Sequence, residues 1–315
     1  MKIGLDIMGG DFAPVATIEG AILAHKEFLP SERLVLIGDK DIITDKLSVF
    51  DYDKDRIEIA HASEVIGMGE SPIKAFSAKS NSTINVGFGM VRGKGLDAFC
   101  SAGNSGAMMV GSMYAINTIP GVIRPACAVL IPRESGGSNI LLDVGTNPDA
   151  KPDVLYQYGI LGSVYAQEVF GKENPKIGLL NIGEEDKKGN LLSQSAFRLM
   201  KDSEDFNFVG NIEGRDLFSD KADVIVCDGF TGNIVIKEAE AIYSIMRKRG
   251  LLDEFFSRFN YESIGGSPFL GIDASIVIGH GISNANAIKN MVLFSRDLAL
   301  AKLPEKIKTA ISKYR

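Results

Sequence analysis

Short apolar runs alternate with polar turns and amphipathic stretches along most of the chain. Each run has the length of a strand, and the stretch behind it places apolar residues at helical spacing. The strand candidates lie at 3–7, 33–37, 56–60, 96–100, 140–144, 176–181, 222–227 and 274–278. Strands that alternate with helices predict βαβ units, and therefore a three-layer α/β/α fold around a mostly parallel sheet.

One pair of apolar runs departs from this alternation. The runs at 126–132 and 138–143 flank Gly136-Gly137, a dipeptide that favours tight hairpin turns, and they predict an antiparallel hairpin within the sheet. No linker, low-complexity tract or shift in composition divides the sequence. We therefore expect a single α/β domain over residues 1–315.

The turns that follow the predicted strands carry most of the candidate chemistry. Asp, Asn and Ser recur there, and they are the preferred helix caps and turn formers, so any one of them has a structural explanation. In open α/β sheets, however, ligands bind beyond the carboxyl ends of the strands. The whole set of polar turns therefore favours one shared pocket over scattered loops.

Two of these turns are alike in composition. Ser101-Ala-Gly-Asn-Ser-Gly-Ala107 and Asp228-Gly-Phe-Thr-Gly-Asn233 each join an apolar run to a helical pattern. Glycine lets backbone N–H groups crowd around a ligand, and the positive end of the following helix points at the same place. The turns predict a phosphate site formed by Gly103, Ser105, Gly106, Asp228, Thr231, Gly232 and Asn233.

Further turns offer charge or a titratable group. Glu184-Glu-Asp-Lys-Lys-Gly189 follows an apolar strand, and either Lys187 or Lys188 offers a point charge for phosphate. A solvated charge run explains the same residues. His280 lies between two glycines at a strand end, where it is either a candidate acid, base or hydrogen-bond donor or a plain turn residue.

Composition and charge exclude several classes of function. The net charge of −6 argues against a general nucleic-acid binder. The sequence has no convincing zinc-ligand set, no G-x-S-x-G elbow, no phosphate loop of the NTPase type and no G-x-G-x-x-G after the first strand. We therefore expect no metal and no cofactor. No signal-peptide plan or membrane-length apolar run occurs, so we expect a cytoplasmic protein.

An apolar stripe with basic neighbours follows the second glycine-rich turn. Its members, at helical spacing, are Leu251, Leu252, Phe255, Phe256 and Phe259, beside Arg247, Lys248, Arg249 and Arg258. Such a stripe suits the surface of a membrane or a partner. A helix in the core or in a dimer interface is the commoner explanation.

Blocks along almost the whole chain match one known family in the same order. They include Asp6-Ile-Met-Gly-Gly-Asp11, Ser101 to Ala107, Leu142-Asp-Val-Gly-Thr-Asn147, Asn181-Ile-Gly183, Glu185-Asp-Lys-Lys-Gly-Asn190 and Asp228 to Asn233. In these blocks the chain resembles the phosphate acyltransferases, the acyl-carrier-protein:phosphate acyltransferases of bacterial phospholipid synthesis.

The resemblance implies transfer of a fatty acyl group from acyl carrier protein to inorganic phosphate. It also implies a fold like that of the isocitrate and isopropylmalate dehydrogenases and phosphotransacetylase, a homodimer, and an acyl phosphate product that a membrane glycerol-3-phosphate acyltransferase consumes. The family's projecting helical hairpin corresponds to about 234–264, a stretch that is shorter here. The stripe from Leu251 to Phe259 is then the candidate for peripheral contact with the inner face of the membrane.

The implied reaction gives the polar turns their roles. Phosphate attacks a thioester carbonyl, so the site holds a dianion and stabilises a developing oxyanion. Lys187 or Lys188 would add charge at the phosphate. The candidates for orienting the reacting groups are Asn104, Asn147, Asn181 and His280. The residues expected to order the turns are Asp6, Gly9, Gly10, Asp11 and Asp143.

Two alternative functions fit parts of the pattern. A metal- and NAD(P)-dependent decarboxylating dehydrogenase shares the implied fold, but it needs metal-binding aspartates. The one matching spacing, Asp149 to Asp153, straddles Pro152 in a predicted loop. A non-enzymatic scaffold of lipid enzymes would use the apolar stripe, but it leaves the polar strand-end turns without a purpose.

Overall fold

The computed structural model describes residues 1–313. Its strands are β1 (Lys2–Asp6), β2 (Arg33–Gly38), β3 (Ile57–His61), β4 (Ala98–Ser101), β5 (Ala126–Pro132), β6 (Ser138–Leu142), β7 (Lys176–Asn181), β8 (Asn207–Glu213), β9 (Val224–Val226), β10 (Ser267–Leu270) and β11 (Ser275–Ile278). Its helices are α1 (Val15–His25), α2 (Lys40–Leu47), α3 (Pro72–Ala78), α4 (Thr83–Arg92), α5 (Ser105–Tyr114), α6 (Pro152–Phe170), α7 (Leu191–Met200), α8 (Gly229–Lys248), α9 (Glu254–Ser257), α10 (Tyr261–Ile264), α11 (Ala285–Leu300) and α12 (Leu303–Lys313).

The chain divides into two compact units. Unit 1 consists of Met1–Asn117 and Tyr261–Leu300, and unit 2 consists of Thr118–Asn260 and the segment that begins at Ala301. The single domain expected from the sequence stays a prediction.

The sheet of unit 1 runs in the order β3-β2-β1-β4-β11-β10. Its strands pair parallel, except that β10 pairs antiparallel with β11. From β1 the chain adds β2 and β3 on one side, and then returns to place β4 on the other side of β1. Because β-α-β crossovers are right-handed, this reversal puts α1 and α4 on opposite faces of the sheet. Ile3, Leu5 and Phe99 are fully buried, as in a sheet covered on both faces.

The sheet of unit 2 runs in the order β5-β6-β9-β7-β8. The predicted hairpin is confirmed, because β5 and β6 pair antiparallel on either side of Gly136-Gly137. The remaining neighbours pair parallel. Part of the core beneath them is formed by Ile131, Leu141, Ile212, Leu217, Ala222, Ile225 and Cys227. A mixed α/β fold with mostly parallel strands is therefore confirmed.

The structure adds elements that the apolar pattern did not predict. Strand β8 bulges where Phe208 pairs with Ile177 and Gly210 with Gly178, which breaks its alternation. Strand β10 is short and contains Pro268, a residue that argues against a strand from sequence alone.

Candidate active site

In unit 1, the turns after β1 and β4 interlock through one buried carboxylate. Asp6 Oδ2 accepts a hydrogen bond from the Ser101 hydroxyl at 2.7 Å, and Asp6 Oδ1 accepts from the Met8 N–H at 3.0 Å. The Ser101 hydroxyl in turn accepts from the Gly103 N–H at 2.9 Å. A Cβ on Gly9 would lie only 2.6 Å from Asp6 Oδ2 and 2.7 Å from Gly103 N, so the close approach of the two turns requires glycine.

Burial dominates the electrostatics of Asp6. It raises the pKa of the carboxyl, while the hydrogen bond from the Ser101 hydroxyl and weaker ones from backbone N–H groups, that of Met8 among them, oppose the shift. The carboxyl has no access to solvent, with only 1% of the residue exposed. This environment suits the turn-ordering role predicted for Asp6.

The turn after β11 lies against the turn after β1. The Asp11 N–H donates to the Gly281 carbonyl at 2.7 Å, and Gly10 adopts a φ of +106°, which favours glycine. His280 is half-buried beside Gly281, and its carbonyl accepts from both the N–H and the hydroxyl of Ser283. The predicted residues after β1, β4 and β11 therefore lie together at one edge of unit 1.

Helix α5 begins at this edge with an uncharged cap. The Asn104 side-chain oxygen accepts from the Ala107 N–H at 3.0 Å. Its amide group donates to the carbonyls of Gly67 and Glu70 at 3.0 and 3.1 Å. Asn104 thus holds a neighbouring loop as well as the helix start, and its amide is fully engaged in the fold.

The first N–H groups of α5 have no acceptor in the helix. The ladder starts with the bond from the Met108 N–H to the Asn104 carbonyl at 3.0 Å, so Ser105 and Gly106 precede it. Gly106 lies so close to the ring of Pro72 that a side chain would overlap it. An uncapped pair of N–H groups at the positive end of a helix is an anion-binding arrangement.

In unit 2, a second buried carboxylate lies directly after β6. Asp143 Oδ1 accepts from the Cys127 N–H at 2.9 Å, and Oδ2 accepts from the Asn147 N–H at 2.6 Å and from the Asn147 amide at 3.2 Å. That amide also donates to the Pro125 carbonyl at 2.6 Å. Burial raises the pKa of Asp143, and these hydrogen bonds oppose the shift. Asn147 is thus engaged in holding the loop.

Helix α8 begins against this loop with a charged cap. Asp228 Oδ1 accepts from the Thr231 N–H at 2.9 Å and Oδ2 from the Thr231 hydroxyl at 2.8 Å. The Gly229 N–H donates to the Asn147 carbonyl at 2.9 Å. A side chain on Gly232 would overlap the backbone just after β6. The carboxylate offsets the positive end of this helix, and most of its first donors are already used.

A pair of amides organises the end of β7. Asn181 donates to Asn211 Oδ1 at 3.0 Å and to the Lys188 carbonyl at 3.1 Å, and the Asn211 amide donates to the Glu185 carbonyl at 3.0 Å. Lys187 and Lys188 are both exposed on this loop, and the Lys188 ammonium lies 3.8 Å from the Glu185 carboxylate. The two lysines are therefore carried by a tethered, solvent-facing loop.

A cavity of about 280 Å³ lies in unit 2 at the carboxyl ends of β7 and β9. It brings together three of the predicted site residues, Asn181, Asp228 and Thr231. Lys187 and Lys188 are not among the described residues that line it. Its apolar wall includes Leu155, Leu179, Leu180 and Leu192.

Three polar residues of this region were given no role in the sequence analysis. Asn190 caps α7 by accepting from the N–H of Ser193 at 2.9 Å and from its hydroxyl at 3.1 Å. An Asn ahead of an apolar helical run is an N-cap signal, so the cap that Asn190 forms with Ser193 could have been predicted from the sequence. Asn211 had no comparable signal, because it lies on the bulged strand β8.

The apolar stripe does not continue as one helix. A left-handed Gly250, with a φ of +67°, follows α8, and only the four residues of α9 are helical within the stripe. Phe255 and Phe259 pack their rings against Phe218, with centroids 6.2 and 5.5 Å away, whereas Leu251 is 51% exposed. Within residues 1–313, no helix combines the length and the apolarity that a membrane span needs.

Comparison with known proteins decides the family. A family model described as "Fatty acid synthesis protein" matches residues 1–306. A phosphate acyltransferase of Dictyoglomus thermophilum is 41% identical over 99% of this chain and 98% of its own length. The chain belongs to the phosphate acyltransferase family. A further member of this family, from Bacillus subtilis, is 39% identical over 95% of the chain and 94% of its own length.

Solved structures outside the family share the fold. A phosphotransacetylase of Streptococcus pyogenes superposes with a TM-score of 0.65 at 17% identity, over 95% of this chain and 94% of its own. A 4-hydroxythreonine-4-phosphate dehydrogenase of Klebsiella pneumoniae does so with a TM-score of 0.52 at 11% identity, over 95% and 98% of the two chains. At such identities the likeness is one of fold alone.

Proposed function

We propose that this chain transfers a fatty acyl group from acyl carrier protein to inorganic phosphate, giving acyl phosphate for phospholipid synthesis. The observation that carries the proposal is the 41% identity to a phosphate acyltransferase over 99% of the chain. A phosphate oxygen attacks the thioester carbonyl, the carbon–sulfur bond breaks, and the carrier thiol leaves. Catalysis then rests on holding the phosphate and stabilising the developing oxyanion.

The phosphate binds, in this proposal, at the start of α5. The N–H groups of Ser105 and Gly106 lack helical acceptors, and the Asn104 cap is uncharged. Helix α8 is a weaker anion site because the Asp228 carboxylate occupies its start. Two sets of predicted roles stay predictions. One is phosphate binding by Asp228, Thr231, Gly232 and Asn233, and the other is orientation of the reactants by Asn104, Asn147, Asn181 and His280.

Formation of acyl phosphate is the direct test. Purified protein is incubated with phosphate and palmitoyl acyl carrier protein, and the product is trapped with hydroxylamine as the hydroxamate. Palmitoyl-CoA serves as the comparison donor. We expect product that depends on both phosphate and the acyl donor. No hydroxamate from either donor would refute the proposed function.

The phosphate position is tested by removing a single N–H. Ser105 is the first residue of α5, where proline is tolerated, so Ser105→Pro deletes one donor and leaves the helix intact. Losing one hydrogen bond to a charged group predicts a phosphate KM raised about tenfold. Leu191→Pro makes the same change at the first residue of α7 and should leave the phosphate KM unchanged. An equal effect of both variants would contradict the placement.

The contribution of the exposed lysines is tested separately. If either one adds charge at the phosphate, Lys187→Ala or Lys188→Ala raises the phosphate KM, and added salt weakens the difference. Lys201→Ala is the control, because Lys201 is exposed and pairs with Asp186 of the same loop at 3.1 Å. Unchanged KM and kcat in both variants would remove the lysines from the site.

The proposal extends to assembly and location. We infer a cytoplasmic homodimer that supplies a membrane glycerol-3-phosphate acyltransferase, with the fold of the isocitrate and isopropylmalate dehydrogenases. Exposed apolar residues on α8, among them Ile234, Ile242 and Ile245, support a covered face in a dimer. Sedimentation of the Ile242→Glu variant tests this. A mass equal to that of the wild type at every concentration would exclude α8 from the interface.

Peripheral contact with the inner face of the membrane is proposed for the apolar stripe (Leu251, Leu252, Phe255, Phe256 and Phe259). Leu251 is the member to substitute, because it is 51% exposed while the phenylalanines pack on one another and on Phe218. We expect Leu251→Ser to weaken flotation with phosphatidylglycerol vesicles. Leu199→Ser, at an equally exposed position of α7, is the matched control. Equal flotation of both variants would refute membrane contact through Leu251.

A further inference from the structure

The cavity at the ends of β7 and β9 has a wall that is unsuited to phosphate. No lysine or arginine is found among the described residues that line it, and the carboxylate of Asp228 stands on its wall. An anion there would meet a like charge without a compensating cation. The wall therefore favours a ligand other than the phosphate that attacks the thioester.

The polar side chains of the cavity already have their partners within the fold. Asn181 donates to Asn211 and to a loop carbonyl, and its oxygen accepts from the Ile182 N–H at 2.9 Å. Asn190 caps α7, and Asp228 caps α8. These groups use their hydrogen bonds to close the ends of the elements, so apart from the Asp228 carboxylate the wall offers a ligand mainly apolar surface.

Most of the apolar wall is built from leucines on three elements, with Ile182 beside them. Leu155 comes from α6, Leu179 and Leu180 from β7, and Leu192 from α7. Leu155 and Leu179 are almost fully buried, so their positions are fixed by the core. The volume of about 280 Å³ lies just below the usual range of pockets for whole ligands, which suits part of a hydrocarbon chain.

We propose that this cavity takes part of the fatty acyl chain of the substrate. The identity of the occupant rests on the proposed function, since acyl transfer is what makes a fatty chain the apolar group that must be held. Burial of methylene groups against leucine then adds affinity with chain length, up to the capacity of the cavity. The cavity would in this way act as a determinant of chain-length preference.

The test narrows the cavity from one side. Leu192→Phe adds bulk to the wall, and Leu191→Phe places the same ring on the neighbouring, 85% exposed residue that does not line it. Binding is followed with the neutral methyl ester of cis-parinaric acid, a fluorescent fatty chain, and folding by circular dichroism. Exclusion of about two methylene groups predicts a loss of affinity of about tenfold in Leu192→Phe and none in Leu191→Phe.

Activity gives the second readout. With octanoyl, lauroyl and palmitoyl donors, Leu192→Phe should lose kcat/KM most for the longest chain, and Leu191→Phe should keep the wild-type profile. Equal probe binding by all three proteins, or a uniform loss at every chain length, would overturn the assignment while acyl phosphate still forms. Probe binding in the expected pattern without any acyl phosphate would support the cavity and refute the proposed function instead.

Discussion

Substitution of Ser101 by Ala tests the network that joins the β1 and β4 turns. The Ser101 hydroxyl donates to Asp6 Oδ2 at 2.7 Å and accepts from the Gly103 N–H at 2.9 Å, and the residue is fully buried. Alanine removes both bonds. One carboxylate and one backbone N–H then lose a partner in the interior.

The expected cost follows from these two groups. A buried N–H without an acceptor costs about 1–3 kcal/mol, and loss of a hydrogen bond to a carboxylate costs about 1.5–3 kcal/mol. Asp6 keeps the Met8 N–H at 3.0 Å, so the lower part of each range applies and the sum is about 3 kcal/mol. The pKa of Asp6 should also rise further, because the Ser101 bond is the leading influence that opposes burial.

Ser112 provides a matched control on helix α5. It too is fully buried, yet within the described residues its hydroxyl has no hydrogen-bond partner. Ser112→Ala therefore removes an unsatisfied group and adds a better helix former, so we expect unchanged or increased stability. Urea unfolding followed by circular dichroism is suitable for both variants, because the chain has no tryptophan. If Ser112→Ala destabilises as much as Ser101→Ala, the reasoning from hydrogen bonds fails.

Two further predictions concern stability. Burial, and after it the nearby Arg56, lowers the pKa of His25 from its ordinary 6.5. The neutral ring therefore stabilises the fold above about pH 6.5, and this contribution is lost as the pH falls towards the pKa of the folded state. His25→Leu should flatten the pH dependence of unfolding between about pH 5 and 7, and an unchanged slope would contradict it. On α4, a methyl group at Gly89 meets open space, so Gly89→Ala should stabilise the fold by about 0.5–1 kcal/mol. A methyl group at Gly87 overlaps the Phe99 ring, so Gly87→Ala should destabilise the fold. Equal melting temperatures of the two variants would refute this.

The alternation of apolar runs and polar turns was sufficient to predict the mixed fold. Each strand that enters a candidate site pairs parallel with at least one neighbour and is mostly buried, and such strands occur in sequence as nearly uniform apolar runs. The hairpin was predictable from a local signal as well, because Gly136-Gly137 favours the tight turn between β5 and β6. What escaped prediction were elements whose pattern is interrupted, such as β8 with its bulge and β10 with Pro268.

The sequence was sufficient to predict which residues lie at the candidate site, but not how deeply they are buried or which groups they bond. Sequence spacing placed Asp6 and Asp143 at strand ends, yet it gave no means of knowing that both would be fully buried. Nor does a sequence show that the amide of Asn181 is spent on Asn211, thirty positions away on another strand. Such pairings depend on strand order and register, which local composition does not specify.

The two glycine-rich turns looked equivalent in sequence, and the structure separates them by the charge of their caps. Both helices start with a side chain that accepts the N–H three residues on, Asn104 for α5 and Asp228 for α8. Asparagine and aspartate cap a helix about equally well, so the choice matters little for folding. It matters for an anion, because a carboxylate at a helix start offsets the partial positive charge that an amide leaves in place. If phosphate binds at the start of α5 as proposed, the cap residue, more than the glycines, distinguishes that turn from the one at the start of α8.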